Sequence, residues 1–300
     1  MAEEAPLKRF KGEGESGRSS SSSGGGEVMK VLFAGEAGCF SENAALKYFA
    51  QEGGPFICKG VRSFSSVFTA VAAGDGDYGI VPIENSYSGT LHSVFDCLLK
   101  SSLHIVGEMG NVEVHCLVGA GKDKAEVKEV RGHPHILDAC STYLEVLGRR
   151  NGVAGEIQRV PALNSASACL ELKASASTSV AAPTSVAAIA PREAAERYGL
   201  TVLETGIAND ANAETRYLII GRNNVETLVG LNTSGLQEPG ALETLYKTTI
   251  VLALPNTEGS IFKVVAQFAT RSINILKMET RPACTARAVY STSPRHWVSE

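Results

Sequence analysis

The chain has 300 residues, of which 44% are hydrophobic and 20% are charged, so it is long enough for one large domain with a small one or for two medium domains. Its net charge is -4 and no basic stripe stands out, which argues against nucleic acid as a partner. The seven cysteines form no CxxC pair, as is usual in a reduced compartment. No uncharged apolar run approaches the ~18 residues that a membrane helix needs, so we expect no membrane partner.

Composition and hydrophobic pattern divide the chain into five parts. They are, in order, a disordered Ser- and Gly-rich tail (1–28), an α/β domain (29–222), a linker (223–245), a smaller module (246–283) and an irregular C-terminal tail (284–300). The N-terminal tail has no apolar signal core and is rich in Glu, unlike a transit peptide, although a targeting function stays open. The low-complexity stretch 173–185 is predicted to be a surface insertion.

Short apolar runs alternate with amphipathic helical stripes along residues 29–222. Strands are predicted at 29–34, 56–61, 78–83, 103–108, 112–118, 127–131, 156–160, 186–190, 201–203 and 215–220. This alternation predicts parallel sheets with helices on both faces, and the length favours two α/β lobes with a cleft between them. The smaller module has a β-α-β pattern, with strands at 247–254 and 273–278.

Three polar side chains, Glu84, Asn85 and Ser86, follow the apolar run at 78–83 and precede a helical stripe. A strand-to-helix junction gathers unpaired N–H groups and the positive end of the helix dipole, which favour an anion; an ordinary capping loop is the alternative. If several such loops meet at the cleft, an anionic small molecule is the expected ligand. Similar junctions occur at 38–41, 132–135 and 164–165.

Longer motifs occur in a fixed order along residues 29–282. In the α/β domain they are G-x-x-G-C-F-S-E-N-A-A (35–45), V-P-I-E-N-S-Y-S-G-T (81–90), L-H-I-V-G-E (103–108), G-H-P-H (132–135), A-A-I-A-P-R-E-A-A-E-R-Y-G-L (187–200) and T-R-Y (215–217). In the smaller module they are N-T-E-G-S-I-F-K (256–263) and S-I-N-I-L-K-M-E-T-R-P (272–282). With these motifs the chain resembles the prephenate and arogenate dehydratases that carry a C-terminal ACT module.

The resemblance implies a two-lobed catalytic domain like the type II periplasmic binding proteins, with the active site between the lobes, followed by an incomplete ACT-like βαβ module. It implies a lyase of L-phenylalanine biosynthesis that removes water and CO2 from prephenate, giving phenylpyruvate, or from arogenate, giving phenylalanine. It implies no metal and no organic cofactor. A phenylalanine effector, a homo-oligomer if the ACT module is intact, and a location in the cytoplasm or the plastid stroma are further expectations.

Roles for individual residues also follow from the resemblance. Thr215 would help to protonate the leaving hydroxyl group, while Asn85 and Glu84 would orient the ring and the reacting carboxylate. For Arg216, the alternative to pairing with a substrate carboxylate is a structural ion pair. The predicted substrate-binding residues are Ser41, Ser86, Gly89, Thr90, Ser165 and Arg216. The predicted allosteric residues are Glu258, Gly259, Ser260, Glu279 and Arg281. All of these catalytic roles require Asn85 and Thr215 to share one hollow.

The chain departs from the family pattern at His135, Ala139 and Ala213, where the family usually has Gln, Gln and Asn. A polar contact that acts on the transition state is worth roughly 10²-fold in rate, so each loss would slow the reaction. The alternative function is therefore a catalytically weak protein that senses an aromatic amino acid or its precursor. Only the first half of the ACT-like module can be recognised in the sequence, which predicts weak or absent feedback control.

Two other features are interpreted without a catalytic role. Cys39 replaces a Thr that is common in the family's first loop, and the reaction needs no nucleophile. His133 and His135 have the spacing of metal ligands, but no Cys or acidic partner lies near them in the sequence. We therefore predict no metal site.

Overall fold

The computed structural model describes residues 28–152, 157–178, 184–223, 247–281 and 296–299. The predicted disordered tail and linker lie almost entirely outside the described residues. The chain divides into two compact units, residues 1–231 and 232–300.

The first unit contains eleven described strands and seven described α-helices. The strands are β1 (Met29–Ala34), β2 (Phe56–Val61), β3 (Tyr78–Asn85), β4 (Gly89–Thr90), β5 (His104–Val112), β6 (Cys116–Gly119), β7 (Glu129–Gly132), β8 (Gln158–Pro161), β9 (Val186–Ala190), β10 (Thr201–Thr205) and β11 (Glu214–Gly221). The helices are α1 (Phe40–Glu52), α2 (Phe64–Ala73), α3 (His92–Lys100), α4 (Pro134–Ala139), α5 (Ser141–Arg150), α6 (Ser165–Thr178) and α7 (Arg192–Tyr198).

Two sheets form two lobes. The first sheet has the order β2-β1-β3-β11-β5, with β4 paired to β3, and the second has the order β10-β6-β9-β7-β8. Residues 113–115 lead from the first sheet to the second, and residues 206–213 lead back. The predicted pair of α/β lobes is confirmed, and both crossings lie where the lobes meet.

The prediction of parallel sheets is wrong in part. Strands β1, β2 and β3 pair in parallel, and so do β7, β8 and β9. However, β11 is antiparallel to both β3 and β5, and β6 is antiparallel to both β9 and β10. The reason is that β11 returns from the other lobe without a crossover helix over its own sheet, so nothing imposes the parallel direction.

Apolar side chains of the strands form the cores, with helices on both faces of the second sheet. One core, packed against α4 and α5, includes Leu117, Leu144 and Ile189. A second, packed against α6 and α7, includes Cys169 and Leu172. The first lobe packs α1 on a core that contains Val31, Phe33, Phe49, Ile80, Tyr217 and Ile219. These cores hold the edges of the two sheets that border the cleft.

The low-complexity stretch 173–185 was predicted to be an insertion, but its first six residues continue helix α6. The segment is rich in Ala, which is the best helix former, so the helix has no reason to end before it. Residues 179–183 lie outside the described part of the chain.

The second unit contains β12 (Lys247–Ile250), α8 (Ser260–Ala269), β13 (Asn274–Ile275) and β14 (His296–Ser299). Its first three elements have the predicted β-α-β order. The tail predicted to be irregular contains strand β14, which pairs antiparallel with both β12 and β13. A four-residue strand is too short to show a clear hydrophobic pattern in the sequence. Strand β14 is therefore recognised only by its pairing with β12 and β13. No side chain described between residues 247 and 281 is buried.

Among the residues that the structure describes, no helix is long and apolar enough to cross a membrane.

Candidate active site

A cavity of about 350 Å³ lies between the two lobes of the first unit, within the roughly 300–1,000 Å³ that small-molecule sites occupy. Residues from both sheets and from both crossings contribute to its wall. The polar and charged residues of the wall are Ser41, Arg62, Ser63, Asn85, Tyr87, Ser88, Glu113, His115, His133, His135, Asn164, Ser165, Asp210, Thr215 and Tyr217.

Asn85 and Thr215 lie side by side in this wall. They are register partners on β3 and β11, and the Nδ2 atom of Asn85 donates a hydrogen bond of 2.9 Å to Oγ1 of Thr215. The Oδ1 atom of Asn85 accepts from the backbone N–H groups of Tyr87 and Ser88 at 2.9 and 3.0 Å. These two bonds orient the carboxamide so that its NH2 group faces Thr215. The prediction that Asn85 and Thr215 share one hollow is confirmed.

Glu113 reaches the same part of the cavity from the first crossing between the lobes. The hydroxyl of Tyr217 donates to Oε1 of Glu113 at 2.5 Å, and the side chain of Thr215 lies close enough to lower the pKa of the same carboxyl group. Desolvation raises the pKa of this carboxyl, against smaller lowering effects from Tyr217, Thr215 and Lys47. The cavity therefore contains an acidic group that holds its proton to a higher pH than an ordinary Glu.

His115, two residues further along the crossing, is buried, and its ring lies 5.0 Å from that of Phe40, centroid to centroid. Its Nδ1 atom lies 3.1 Å from the backbone oxygen of Glu113. Desolvation lowers the pKa of His115, so burial favours the neutral imidazole.

Two helix N-termini border the cavity. Helix α1 begins at Phe40, after Cys39, and Ser41 lies in its first turn. Helix α6 begins at Ser165, and its preceding residue Asn164 accepts a hydrogen bond from the backbone N–H of Ser167 at 2.8 Å. Ser41 and Ser165, both predicted to bind substrate, lie in the cavity wall and are buried. The unpaired N–H groups of such helix ends suit an anion.

Glu84 and Arg216, predicted to act on the substrate, do not line the cavity. They are register partners next to Asn85 and Thr215, and Arg216 Nη1 lies 2.8 Å from Glu84 Oε1. Because successive side chains of a strand point to opposite faces, the residue beside each cavity residue faces away from the cavity. The position of Arg216 fits the structural ion pair that was the alternative to a substrate contact.

The other three predicted binding residues also lie outside the cavity wall. Ser86 Oγ accepts a hydrogen bond from the backbone N–H of Glu214 at 2.9 Å, so it ties β3 to β11. Gly89 has a φ of 82°, a left-handed conformation that favours glycine, and it is the first residue of β4, paired with Asn85. Thr90 pairs with Glu84 in that hairpin.

This hairpin also corrects the predicted junction between strand and helix. Strand β3 continues through Asn85, β4 follows, and helix α3 begins only at His92. The polar triplet 84–86 therefore lies in a β-hairpin and not at a helix N-terminus. Tyr87 and Ser88, at the tip of this turn, line the cavity instead.

The rings of His133 and His135 stack in the cavity wall with their centroids 5.3 Å apart. In the described part of the chain, no group of three His, Cys, Asp or Glu side chains could hold a metal ion. Burial raises the pKa of the Cys39 thiol to about 11, so this thiol is not a ready nucleophile at neutral pH.

Comparison with known proteins places this site in a family. The model of the family described as prephenate dehydratase matches residues 31–225, which include both lobes and the cavity. The chain belongs to the prephenate dehydratase family.

Members of this family with assigned names are similar over most of the chain. An Arabidopsis thaliana protein named arogenate dehydratase/prephenate dehydratase 1, chloroplastic, is 37% identical over 267 residues, which are 87% of this chain and 59% of that protein. The bifunctional chorismate mutase/prephenate dehydratase of Escherichia coli K12 is 30% identical over 84% of this chain and 59% of its own length. The chain thus spans about three fifths of the length of these relatives.

The fold agrees with that of a solved family member. A prephenate dehydratase from Arthrobacter aurescens, crystallised in complex with L-Phe, matches with a TM-score of 0.70 and 23% identity over 91% of this chain and 80% of that one. At this level of identity the match shows the fold alone.

The three departures from the prephenate dehydratase pattern all fall in the cavity wall. His135, Ala139 and Ala213 line it, whereas Asn212 is exposed, with its backbone N–H bonded to Asp210 Oδ1 at 2.9 Å. The loop therefore does not bring Asn212 into the position that Ala213 occupies. Polarity in the cavity comes partly from residues that the motifs did not indicate, namely Arg62 and Glu113.

A signal for Glu113 was present in the sequence. In the alternating stretch 112–118, Glu113 and His115 share one side with Leu117, so two ionisable groups lie on the same face as an apolar residue. An ionisable residue on such a face is either partnered or functional. The partner of Glu113, Tyr217, lies 104 residues away in the sequence, and only the fold brings the two together.

Proposed function

We propose that the chain catalyses the decarboxylating dehydration of prephenate to phenylpyruvate or of arogenate to phenylalanine. The observation that carries this proposal is the hydrogen-bonded pair Asn85–Thr215 in the wall of an interlobe cavity of a prephenate dehydratase family member. Because the chain spans only part of the length of its named relatives, the activity is proposed for this chain and not taken over from them.

The cavity offers binding groups for an anionic cyclohexadienyl acid. The first turns of α1 and α6 present Ser41 and Ser165, each with a hydroxyl and nearby backbone N–H groups. Of the described residues in the wall, only Arg62 carries a permanent positive charge, and it suits a carboxylate. Apolar lining from Phe40, Leu91 and other residues suits the six-membered ring.

The reaction needs little apparatus beyond positioning, because forming the aromatic ring drives it. The Thr215 hydroxyl would donate a proton to the departing hydroxyl group while the ring carboxylate leaves as CO2. Asn85 would fix the position of Thr215 through its 2.9 Å hydrogen bond. No metal or organic cofactor enters these steps.

The second unit is proposed to be an ACT-like module that binds phenylalanine, as the complex of the Arthrobacter relative with L-Phe suggests by analogy. Its effector site would use Glu258, Gly259, Ser260, Glu279 and Arg281, and a homo-oligomer would form through this module. The named Arabidopsis relative is chloroplastic, which favours the plastid over the cytoplasm as the compartment.

The test is to incubate the purified full chain with prephenate and, separately, with arogenate, and to measure phenylpyruvate and phenylalanine. We expect at least one product to form faster than without protein, and the faster reaction identifies the substrate. Binding of either compound without turnover would favour the sensor. Ala139 and Ala213 in the cavity wall are consistent with that function, because they lack the polar side chains that the family usually has there. If the protein neither binds nor converts either compound, both the enzyme and the sensor function are excluded.

A further inference from the structure

The proposed reaction needs a source for the proton that leaves with the hydroxyl group. An aliphatic hydroxyl such as that of Thr215 is too weak an acid to release its proton unless another group replaces it at the same time. Asn85 cannot do this, because its carboxamide NH2 only donates a hydrogen bond to Thr215. The group required is an acid that touches Thr215 and is protonated near the working pH.

Glu113 meets the geometric part of this requirement. Its carboxyl lines the same cavity as Thr215 and accepts a 2.5 Å hydrogen bond from the hydroxyl of Tyr217, which lies two residues beyond Thr215 on the same face of β11. Tyr217 is 1% exposed, so this bond holds the carboxyl in place from the protein side. A threonine oxygen has two acceptor positions, and Asn85 occupies one of them. The other can accept a proton from Glu113 while the Thr215 O–H points to the substrate.

We propose that Glu113 is the proton reservoir of the site and supplies the departing hydroxyl group through the hydroxyl of Thr215, an inference that rests on the proposed function. The ring C–O bond breaks, and its electron pair leaves with the oxygen, which takes the Thr215 proton and becomes water. Thr215 takes the Glu113 proton. The C–C bond to the ring carboxylate breaks, its electron pair completes the aromatic ring, and CO2 leaves. Glu113 is left as a carboxylate and regains its proton from solvent, through the part of the side chain that is not buried.

The surroundings of Glu113 favour the protonated form that this step requires. Desolvation is the largest influence and raises its pKa, while Tyr217, Thr215 and the charge of Lys47 lower it by less. Lys47 is itself bonded to Asn111 Oδ1 at 2.7 Å, and His115 is held near neutrality by its own burial. Glu113 acts through Thr215, so it is a positioning and proton-supplying residue and does not itself contact the reacting atoms.

The experiment measures kcat and KM of the full chain over about pH 5 to 9 for the wild type, Glu113→Gln, Glu113→Asp, Thr215→Val and the Glu113→Gln/Thr215→Val double variant. Glu204→Gln is the matched control, because Glu204 also accepts a hydrogen bond from a tyrosine, Tyr143, at 2.8 Å and lies outside the cavity wall. Thermal unfolding of each variant checks that it is folded.

If Glu113 supplies the proton, Glu113→Gln lowers kcat by about 10²-fold or more and abolishes the fall of activity at high pH, whereas KM changes little. Glu113→Asp keeps part of kcat and shifts that limb of the pH profile, and the double variant is no slower than Thr215→Val alone. Glu204→Gln keeps the kcat, the KM and the pH profile of activity of the wild type.

Wild-type kcat in Glu113→Gln, or a lower kcat with an unchanged pH profile, overturns the inference and leaves the proposed function standing. If Glu113→Gln does not fold, an unchanged pH profile in Glu113→Asp overturns it equally. A wild type that turns over neither compound removes the proposed function itself, and this inference with it.

Discussion

The carboxamide of Asn85 and the hydroxyl of Thr215 come from positions 130 residues apart in the sequence and form one hydrogen-bonded pair, with 2.9 Å between Nδ2 and Oγ1. Antiparallel pairing of β3 with β11 brings them together, and the turn at Tyr87 and Ser88 fixes which end of the carboxamide faces Thr215. The pair therefore depends on long-range register, and any change that shifts β11 along β3 would separate it.

The first prediction concerns this pair. Thr215→Val keeps the shape of the side chain but removes the hydroxyl, so we expect turnover to fall by about 10²-fold or more while the protein stays folded. Asn85→Ala should lower turnover as well, and the double variant should be about as slow as Thr215→Val, because Asn85 works through Thr215. Steady-state rates and thermal unfolding measure both effects. Near-wild-type turnover in Thr215→Val would show that its hydroxyl takes no part in the reaction.

The second prediction concerns the ion pair on the opposite face of the same strands. Arg216 lies 2.8 Å from Glu84 and its Nε lies 3.9 Å from Glu108, and all three side chains are partly buried. We expect Arg216→Met to lower the free energy of unfolding by about 1–3 kcal/mol, because it leaves carboxylates partly buried without this cation. Turnover should fall less than in Thr215→Val, and KM should change little.

Urea unfolding and steady-state kinetics of the same preparation measure these quantities. A large rise in KM with unchanged stability would return Arg216 to the substrate-binding role that the resemblance implied. The Glu84→Gln/Arg216→Met double variant is the control, since removing both charges should cost less stability than removing Arg216 alone.

These two pairs show how far the sequence could predict the site. The motifs identify the segments 81–90 and 215–217 as parts of one site, and the structure brings these segments together. They do not indicate which of two neighbouring residues faces the ligand, because that depends on the register with a strand 130 residues away. Asn85 and Thr215 share the cavity as predicted and their catalytic roles stay predictions, whereas Glu84 and Arg216 were placed in a cavity that they do not line.

The fold could be predicted where the signal is local. Strands β1 and β2 have the predicted bounds, because each is a short local run that its own residues identify. The antiparallel insertion of β11 between β3 and β5 and the placement of Glu113 at the lobe junction could not be predicted, because both follow from the two crossings between lobes. Strand β14 was missed for the same reason, since its partners are distant in the sequence.

The third prediction concerns the pH dependence of stability. The folded-state pKa of Glu113 is raised above the unfolded value of about 4.5 by burial. The protonated carboxyl therefore favours the folded state fully below that value, and this contribution is lost as the pH rises through the folded pKa. Glu113→Gln stays neutral, so its melting temperature should gain on that of the wild type as the pH rises from about 4.5 through the folded pKa of Glu113.

For Glu204 we expect a pH dependence of stability with the opposite sign. Its hydrogen bond from Lys124 lowers its pKa, so its contribution is present above the unfolded value and is lost as the pH falls. The melting temperature of Glu204→Gln should therefore fall behind that of the wild type as the pH rises from acidic values to about 4.5, with no further loss above that value. Parallel behaviour of the two variants would mean that Glu113 is not desolvated in the folded protein.

The fourth prediction concerns a hydrogen bond at the mouth of the cavity. The hydroxyl of Tyr87, on the β3–β4 hairpin, accepts from Asn209 Nδ2 at 3.0 Å, and Asn209 also bonds the backbone oxygen of Asp138 and the hydroxyl of Ser141 in the second lobe. This bond joins the hairpin of one lobe to the second crossing. One hydrogen bond of this kind is worth about 1 kcal/mol, or about fivefold in an equilibrium.

Tyr87→Phe should therefore raise KM about fivefold and leave kcat nearly unchanged, because the bond links the two lobes beside the cavity and does not touch the reacting bonds. Tyr143→Phe, which removes a tyrosine hydroxyl bonded to Glu204 outside the cavity wall, is the control and should keep the wild-type KM. Asn209→Ala should raise KM by a similar factor, and combining it with Tyr87→Phe should add little. If kcat fell in Tyr87→Phe while KM stayed the same, the hydroxyl would be acting on the bound substrate and not on the contact between the lobes.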